Sequence, residues 1–305
     1  MKRLFICIFL GFFLGITSVI VTHEILKNKR IATFVESVET SITEEPVEPV
    51  ILEPEKPVYA KIFDEDENMT EETFLISEKE IKIPVLLYHE FYEEEPDKKL
   101  YGSVSTPEKF EKDLLNIVGE GFKVISLNRM IDYKNGVKGI PKNSVVITFD
   151  DGYMSNYTLI YPILKKYKIP ATIFIIEDLL GTEGYMTWEE AQIMNGEGLV
   201  TIYSHGFSHV DMTSLMPNDF ASKISNNFAK MEEMLGKPEH LVYSYPYGFY
   251  NKETNTILKD MGVEAVMTTD KGLNDVKDLE AGIIRRDYVA YNFSGLKILR
   301  ILNGK

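Results

Sequence analysis

The chain has 305 residues, is 44% hydrophobic and carries a formal net charge of −14. That length holds one large domain or two small ones, with enough apolar residues for a sizeable core. The acidic balance argues against a nucleic-acid partner, and the single cysteine, Cys7, excludes both an intramolecular disulfide and a cysteine-based zinc cluster.

The charge is unevenly spread: about +4 over residues 1–30, about −12 over 31–80 and about −6 over 81–305. Lys2 and Arg3 precede an apolar run from Leu4 to Val21, about 18 residues, at the boundary between a signal-peptide core and a short membrane helix. No small-x-small cleavage pattern follows, which favours an uncleaved signal-anchor over a cleaved signal peptide. Lys27, Lys29 and Arg30 on its far side oppose the positive-inside bias. The expected location is the cell membrane, single-pass, with the globular part extracytoplasmic; secretion after cleavage is the alternative. Residues 31–80 are rich in Glu and Pro, as in Glu44-Glu45-Pro46-Val47-Glu48-Pro49. They bury too little apolar surface to offset chain entropy and read as an acidic, disordered linker.

From residue 81 onward apolar runs alternate with helical patterns. Expected strands are Ile83–Tyr88, Lys123–Ser126, Ser144–Phe149, Ala171–Ile176, Leu199–Tyr203, Leu241–Tyr245, Ala265–Thr268 and Ile283–Val289. Between them, amphipathic stretches predict helices at Pro107–Gly119, Tyr153–Tyr167, Trp188–Met194, Asn218–Leu235 and Lys252–Met261. Thr106 as cap with Pro107 in the first turn is a strong helix start. This alternation implies one α/β domain over 81–305 with parallel strands, better explained by a single barrel than by two domains. His89, Asp150-Asp151, His205 with His209, and Pro246-Tyr247-Gly248 each follow an expected strand, so a barrel would gather them at one mouth.

The chain has only five histidines, and two of them, His205 and His209, share one loop. With a carboxylate from another loop they supply three ligands and leave a coordination position open, the pattern of a catalytic zinc site. Asp150 and Asp151 are adjacent, so one can ligate while its neighbour serves as a base. Each piece alone has a plainer reading: an Asp pair at a strand end is often a solvated turn or helix cap, and His-x-x-x-His occurs on exposed helix faces. His89 also fits a core histidine, and His23 and His240 read as surface residues.

Thr148-Phe149-Asp150-Asp151-Gly152 and Ser204-His205-Gly206-Phe207-Ser208-His209 resemble the first two motifs of the polysaccharide deacetylases (NodB-like domains, carbohydrate esterase family 4). Tyr245-Pro246-Tyr247-Gly248 resembles the third, and Thr187-Trp188 a tryptophan-bearing groove segment. The resemblance covers roughly Ile83 to Val289 and implies a distorted (β/α)7 barrel. It implies that Asp151, His205 and His209 bind a divalent metal, most readily Zn2+, that Asp150 is the general base and that the Tyr247 N–H helps hold an oxyanion. The family's late Leu-x-His motif is missing, as is the arginine of its third motif, where Ser244 and Tyr245 stand. Tyr88-His89 instead resembles the permuted arrangement of extracellular poly-β-1,6-N-acetylglucosamine deacetylases, which makes His89 the acid. Arg286 would replace the missing arginine in orienting Asp150, with Arg285 an equal candidate.

The expected function is metal-dependent N-deacetylation of N-acetylglucosamine residues in an extracellular polysaccharide, with poly-β-1,6-N-acetylglucosamine the expected substrate. Peptidoglycan is the alternative substrate. An O-acetyl esterase and a catalytically inactive carbohydrate-binding module on the same scaffold are the rivals. Trp188 and Tyr247, with Phe249 and Tyr250, would line a sugar-stacking groove or else simply pack.

Overall fold

The computed structural model describes residues 73–74, 81–100 and 104–304. The expected anchor, nearly all of the acidic linker, and His23 lie outside the described residues. Among the described residues, no helix is long and apolar enough to cross a membrane.

The strands that build the main sheet are β1 (Val85–Tyr88), β2 (Ser144–Phe149), β3 (Ala171–Ile175), β4 (Val200–Ser204), β5 (Val242–Ser244), β6 (Ala265–Met267), β7 (Ile283–Ile284) and β8 (Asp287–Tyr288). All neighbours pair in parallel, in the order β7-β6-β5-β4-β3-β2-β1-β8. Every residue of Val85–Tyr88, Ser144–Phe149 and Ala171–Ile175 is buried, the continuous apolar pattern of strands covered on both faces. Alternate side chains enter different clusters: Val85, Val146, Phe174 and Tyr203 go to one, and Leu86, Ile147, Ile173 and Ile202 to the other.

The connecting helices are α1 (Pro107–Gly119), α2 (Leu127–Lys134), α3 (Tyr161–Tyr167), α4 (Trp188–Gly196), α5 (Pro217–Leu235), α6 (Lys252–Asp260), α7 (Val276–Ala281) and α8 (Gly295–Leu302). Their starts are chemically specified. Thr106 Oγ1 accepts from the Lys109 N–H at 3.2 Å, and capping boxes open α4 (Thr187 with Glu190), α6 (Asn251 with Thr254) and α7 (Asp275 with Asp278). Helix α8 closes back on α1, with Ile298 and Leu302 in the same core cluster as Leu114 and Ile117.

The expected parallel α/β arrangement forms, as a half-barrel whose two sheet ends meet at residues 283–288. Ile284 pairs with Met267 on one side and Asp287 with Leu86 on the other. The single strand expected over Ile283–Val289 is therefore broken at Arg285-Arg286. There the Arg286 N–H leaves the ladder to donate to the Asp270 carbonyl at 2.9 Å. The expected strand at Lys123–Ser126 is shorter, Lys123–Val124, because Ser126 caps α2 by accepting from the Arg129 N–H at 3.1 Å.

His240, read as a surface residue, is buried. Its Nδ1 lies 3.0 Å from Glu264 Oε1 and its Nε2 3.2 Å from Asp132 Oδ1, so it ties α2 to the segments entering β5 and β6. Polar partners supplied by distant segments draw it inward, and its own neighbours in sequence carry no sign of them.

Candidate active site

Asp150 follows the last residue of β2 and is buried, as is Asp151. Asp151 has φ +75°, a left-handed conformation that costs a non-glycine residue about 1–2 kcal/mol. This turn sends two consecutive carboxylates to one place instead of to opposite faces of an extended strand, and such strain is characteristic of functional sites.

Arg286 holds Asp150 in a two-pronged ion pair, Nη1 to Oδ1 at 2.6 Å and Nη2 to Oδ2 at 2.7 Å. The guanidinium is itself fixed. Its Nε donates to the Thr268 carbonyl at 2.9 Å and Nη2 to Ser244 Oγ at 3.0 Å, while the Phe174 ring lies 5.5 Å below. Burial pushes the Asp150 carboxyl up, but Arg286 and then His205 outweigh it and bring its pKa down to about 2. Asp150 is thus an anion at neutral pH, with a fixed orientation. Arg285 faces away and pairs with Asp278 at 3.0 Å, so the geometry separates the two arginines that the sequence left equivalent.

His205 and His209 follow β4. His205 Nδ1 lies 2.9 Å from the Ser244 carbonyl, an acceptor only, so Nδ1 carries a hydrogen and Nε2 is the ring nitrogen turned toward the aspartates. That Nε2 is 3.4 Å from Asp151 Oδ1, and His209 Nε2 is 3.6 Å from the same oxygen. Burial lowers the His209 pKa, against the pull of Asp151. Gly206 between them has φ +92°, and a Cβ there would sit 2.6 Å from Met212 Cε, so this path between the two imidazoles requires glycine.

The three donor atoms fit a divalent cation. Bonds of about 2.0–2.2 Å in tetrahedral geometry place ligand atoms about 3.3–3.6 Å apart, the separation from Asp151 Oδ1 to both nitrogens. Asp151 Oδ1 is moreover buried, with no hydrogen-bond partner among the described residues, and faces the Nε2 atoms of both imidazoles. The grouping of Asp132, Glu239 and His240 also has compatible spacing. There, however, both His240 nitrogens face carboxylates and Asp132 pairs with Lys138 at 3.0 Å.

Tyr247 lies after β5 with φ +60°, its ring centroid 4.3 Å from that of His209. Gly248 fixes this turn: a Cβ at its φ of +75° would lie 2.2 Å from Thr269 Oγ1. Tyr247 and Phe249 are exposed beside the cluster, whereas Tyr250 donates to Asp270 at 2.9 Å. Trp188 opens α4 half-buried and packs against the main core, the plainer of its two readings.

His89 stands one residue beyond β1, its carbonyl accepting from Asn156 Nδ2 at 2.8 Å. Burial lowers its pKa, partly offset by Asp150 and Asp151. Asn156 begins a single wide turn, Asn156–Ile160, where a continuous helix over Tyr153–Tyr167 was expected; π-type turns of this kind recur at functional sites. The sequence reading missed the parts played by Asn156, Thr268 and Tyr288. Only Ser244 was flagged, through its place in the third motif.

The family model described as polysaccharide deacetylase matches residues 138–266. A Bacillus subtilis protein named as a polysaccharide deacetylase, YxkH, is 30% identical over 197 residues, covering 64% of this chain and 67% of its own length. The poly-β-1,6-N-acetyl-D-glucosamine N-deacetylase of Staphylococcus aureus is 32% identical over 171 residues, covering 51% of this chain. This chain spans 58% of that relative's length. The solved structure of IcaB from Ammonifex degensii superposes with a TM-score of 0.64 at 26% identity, over 73% of this chain and 98% of that one.

Proposed function

This chain belongs to the polysaccharide deacetylases, amide hydrolases acting on N-acetyl groups, and from that premise we propose that it removes acetyl from N-acetylglucosamine in an extracellular polysaccharide, the β-1,6-linked polymer first. The observation that carries this reading is the division of labour between neighbouring aspartates. Arg286 holds Asp150 as an oriented anion, while Asp151 shares its bare oxygen with two imidazoles. The likeness to the staphylococcal relative, together with the histidine after β1, supports the choice of linkage. The apolar run at residues 4–21 and the acidic stretch at 31–80 support a membrane-tethered, extracytoplasmic domain as part of the same proposal.

A divalent cation held by Asp151, His205 and His209, Zn2+ by its donor set, would supply Lewis acidity and lower the pKa of water toward about 7. Asp150 accepts the proton of the attacking water as its oxygen adds to the acetamide carbonyl. The Tyr247 N–H donates to the oxyanion that forms. His89 gives a proton to the departing nitrogen as the carbon–nitrogen bond breaks, because an unprotonated amide nitrogen is a poor leaving group. The products are acetate and a free amine on the sugar.

The test is acetate release, with product analysis, from β-1,6- and β-1,4-linked N-acetylglucosamine oligomers and from an O-acetylated sugar, before and after chelation. The expected result is chelator-sensitive release from the β-1,6 oligomer in excess over the others. Preference for β-1,4 would move the substrate to peptidoglycan-type chains, and preference for the O-acetyl sugar would make the protein an esterase. Absence of release from all three would favour a binding module.

A further inference from the structure

His89 has one polar ring partner among the described residues, and it is not a carboxylate. The Tyr288 hydroxyl lies 3.2 Å from His89 Nε2, and the two rings stack with centroids 4.8 Å apart and planes inclined by 26°. The contact follows from the way the sheet ends meet. Tyr288 ends β8, which pairs in parallel with β1 in the register Tyr288 to Leu87, and His89 is the first residue past β1. The half-barrel therefore closes on this pair, two residues beyond the arginine that orients the base.

We propose that Tyr288 is the positioning residue for the general acid: its ring and hydroxyl hold the His89 imidazole in one orientation and one neutral tautomer, with the hydrogen on Nε2 and Nδ1 as the nitrogen that hands its proton to the departing group. This inference rests on the assignment of His89 as acid made above.

The acid role and the chemistry of the partner together decide the tautomer. An acid that hands over its Nδ1 proton keeps its remaining hydrogen on Nε2, which faces the phenol. A carboxylate there would favour the charged ring; a phenol accepts the Nε2–H without adding a negative charge. Burial, reinforced by Asp150 and Asp151, pushes the Tyr288 hydroxyl up to about 12, so it keeps its hydrogen and remains a neutral acceptor. When His89 is charged, Nε2–H donates to the same oxygen. The hydrogen bond thus survives both halves of an acid's cycle. Nδ1 is buried and has no hydrogen-bond partner among the described residues. A polar atom left bare in this way is costly and is tolerated where a ligand completes it. Asn156, bonded to the His89 carbonyl, fixes the backbone from which the ring projects, leaving the ring torsion for Tyr288 to set.

Two substitutions separate the functions of the side chain: Tyr288→Phe keeps the stack and removes the hydroxyl, and Tyr288→Leu removes both. In the zinc-loaded full chain, long-range proton–nitrogen NMR should find neutral His89 as the Nε2–H tautomer in the wild type and as a mixture in Tyr288→Phe. An unchanged tautomer in Tyr288→Phe would overturn the proposal. With a β-1,6 N-acetylglucosamine oligomer, Tyr288→Phe should lower kcat about tenfold, leave KM within about twofold and leave metal content unchanged, with a larger loss for Tyr288→Leu. Added to His89→Ala, Tyr288→Phe should lower kcat no further. An additional tenfold loss in that background would show that Tyr288 acts independently of His89 and would also overturn the proposal. A wild type that deacetylates no N-acetylglucosamine oligomer would sink the proposed function instead, while the NMR measurement would still decide the role of Tyr288.

Discussion

Asp150 and Asp151 both approach His205 Nε2, at 3.6 and 3.4 Å, but differ in their other partners. Asp150 has a guanidinium on both oxygens, which leaves it anionic and oriented but short of lone pairs for a cation. Asp151 has a buried oxygen with no hydrogen-bond donor among the described residues. Asp150→Asn should therefore reduce turnover by about 10²–10⁴, the range for losing one acid–base group, as measured by acetate release. Because the Asp150 pKa is depressed from 3.8 to about 2, the stabilisation it gives is complete above about pH 4 and is lost as pH falls through about 2. Urea titrations should accordingly show the stability gap between wild type and Asp150→Asn narrowing across that window. Removing the guanidinium strands a buried anion: Arg286→Met should cost about 3–5 kcal/mol in the same titrations. The surface pair of Arg285 with Asp278 is exposed on the arginine side, and Arg285→Ala should cost less than about 1 kcal/mol.

At the scale of elements, what could be read from the sequence was what local chemistry specifies. Helix α1 spans Pro107–Gly119 as expected, because Thr106, Pro107 and an amphipathic repeat all agree. Buried parallel strands announced themselves as unbroken apolar runs. Helices α2, α7 and α8 were not expected, and three further features escaped. The turn at Asn156–Ile160 keeps a helix-like apolar pattern while changing its hydrogen bonding. The break at Arg285-Arg286 joins two arginines of opposite fate, one exposed and one fully buried, which a dipeptide does not distinguish. His240 is buried by Asp132 and Glu264, partners that arrive only on folding. The turn carrying Tyr247 yields a further prediction. Gly248→Ala would force a Cβ to within 2.2 Å of Thr269 Oγ1 at positive φ. It should lower kcat/KM of acetate release at least tenfold and reduce stability by more than about 1 kcal/mol, read by thermal unfolding.

At the scale of the molecule, the half-barrel brings side chains from the ends of five strands to one mouth. His89 comes after β1, Asp150 and Asp151 after β2, His205 and His209 after β4, Tyr247 after β5 and Arg286 from between β7 and β8. The candidate site was legible because motifs spread from Tyr88 to Gly248 all sat at strand ends of one parallel sheet. Which of Arg285 and Arg286 orients the base was not, because that depends on how the sheet's ends meet. The central claim is that neighbouring carboxylates at this mouth divide into a ligand and a base. Elemental analysis of the purified full chain after zinc loading tests it most directly. The expected result is one ion per wild-type chain, one per Asp150→Asn chain, and almost none for Asp151→Asn or His205→Ala. Full occupancy in Asp151→Asn together with loss in Asp150→Asn would contradict it.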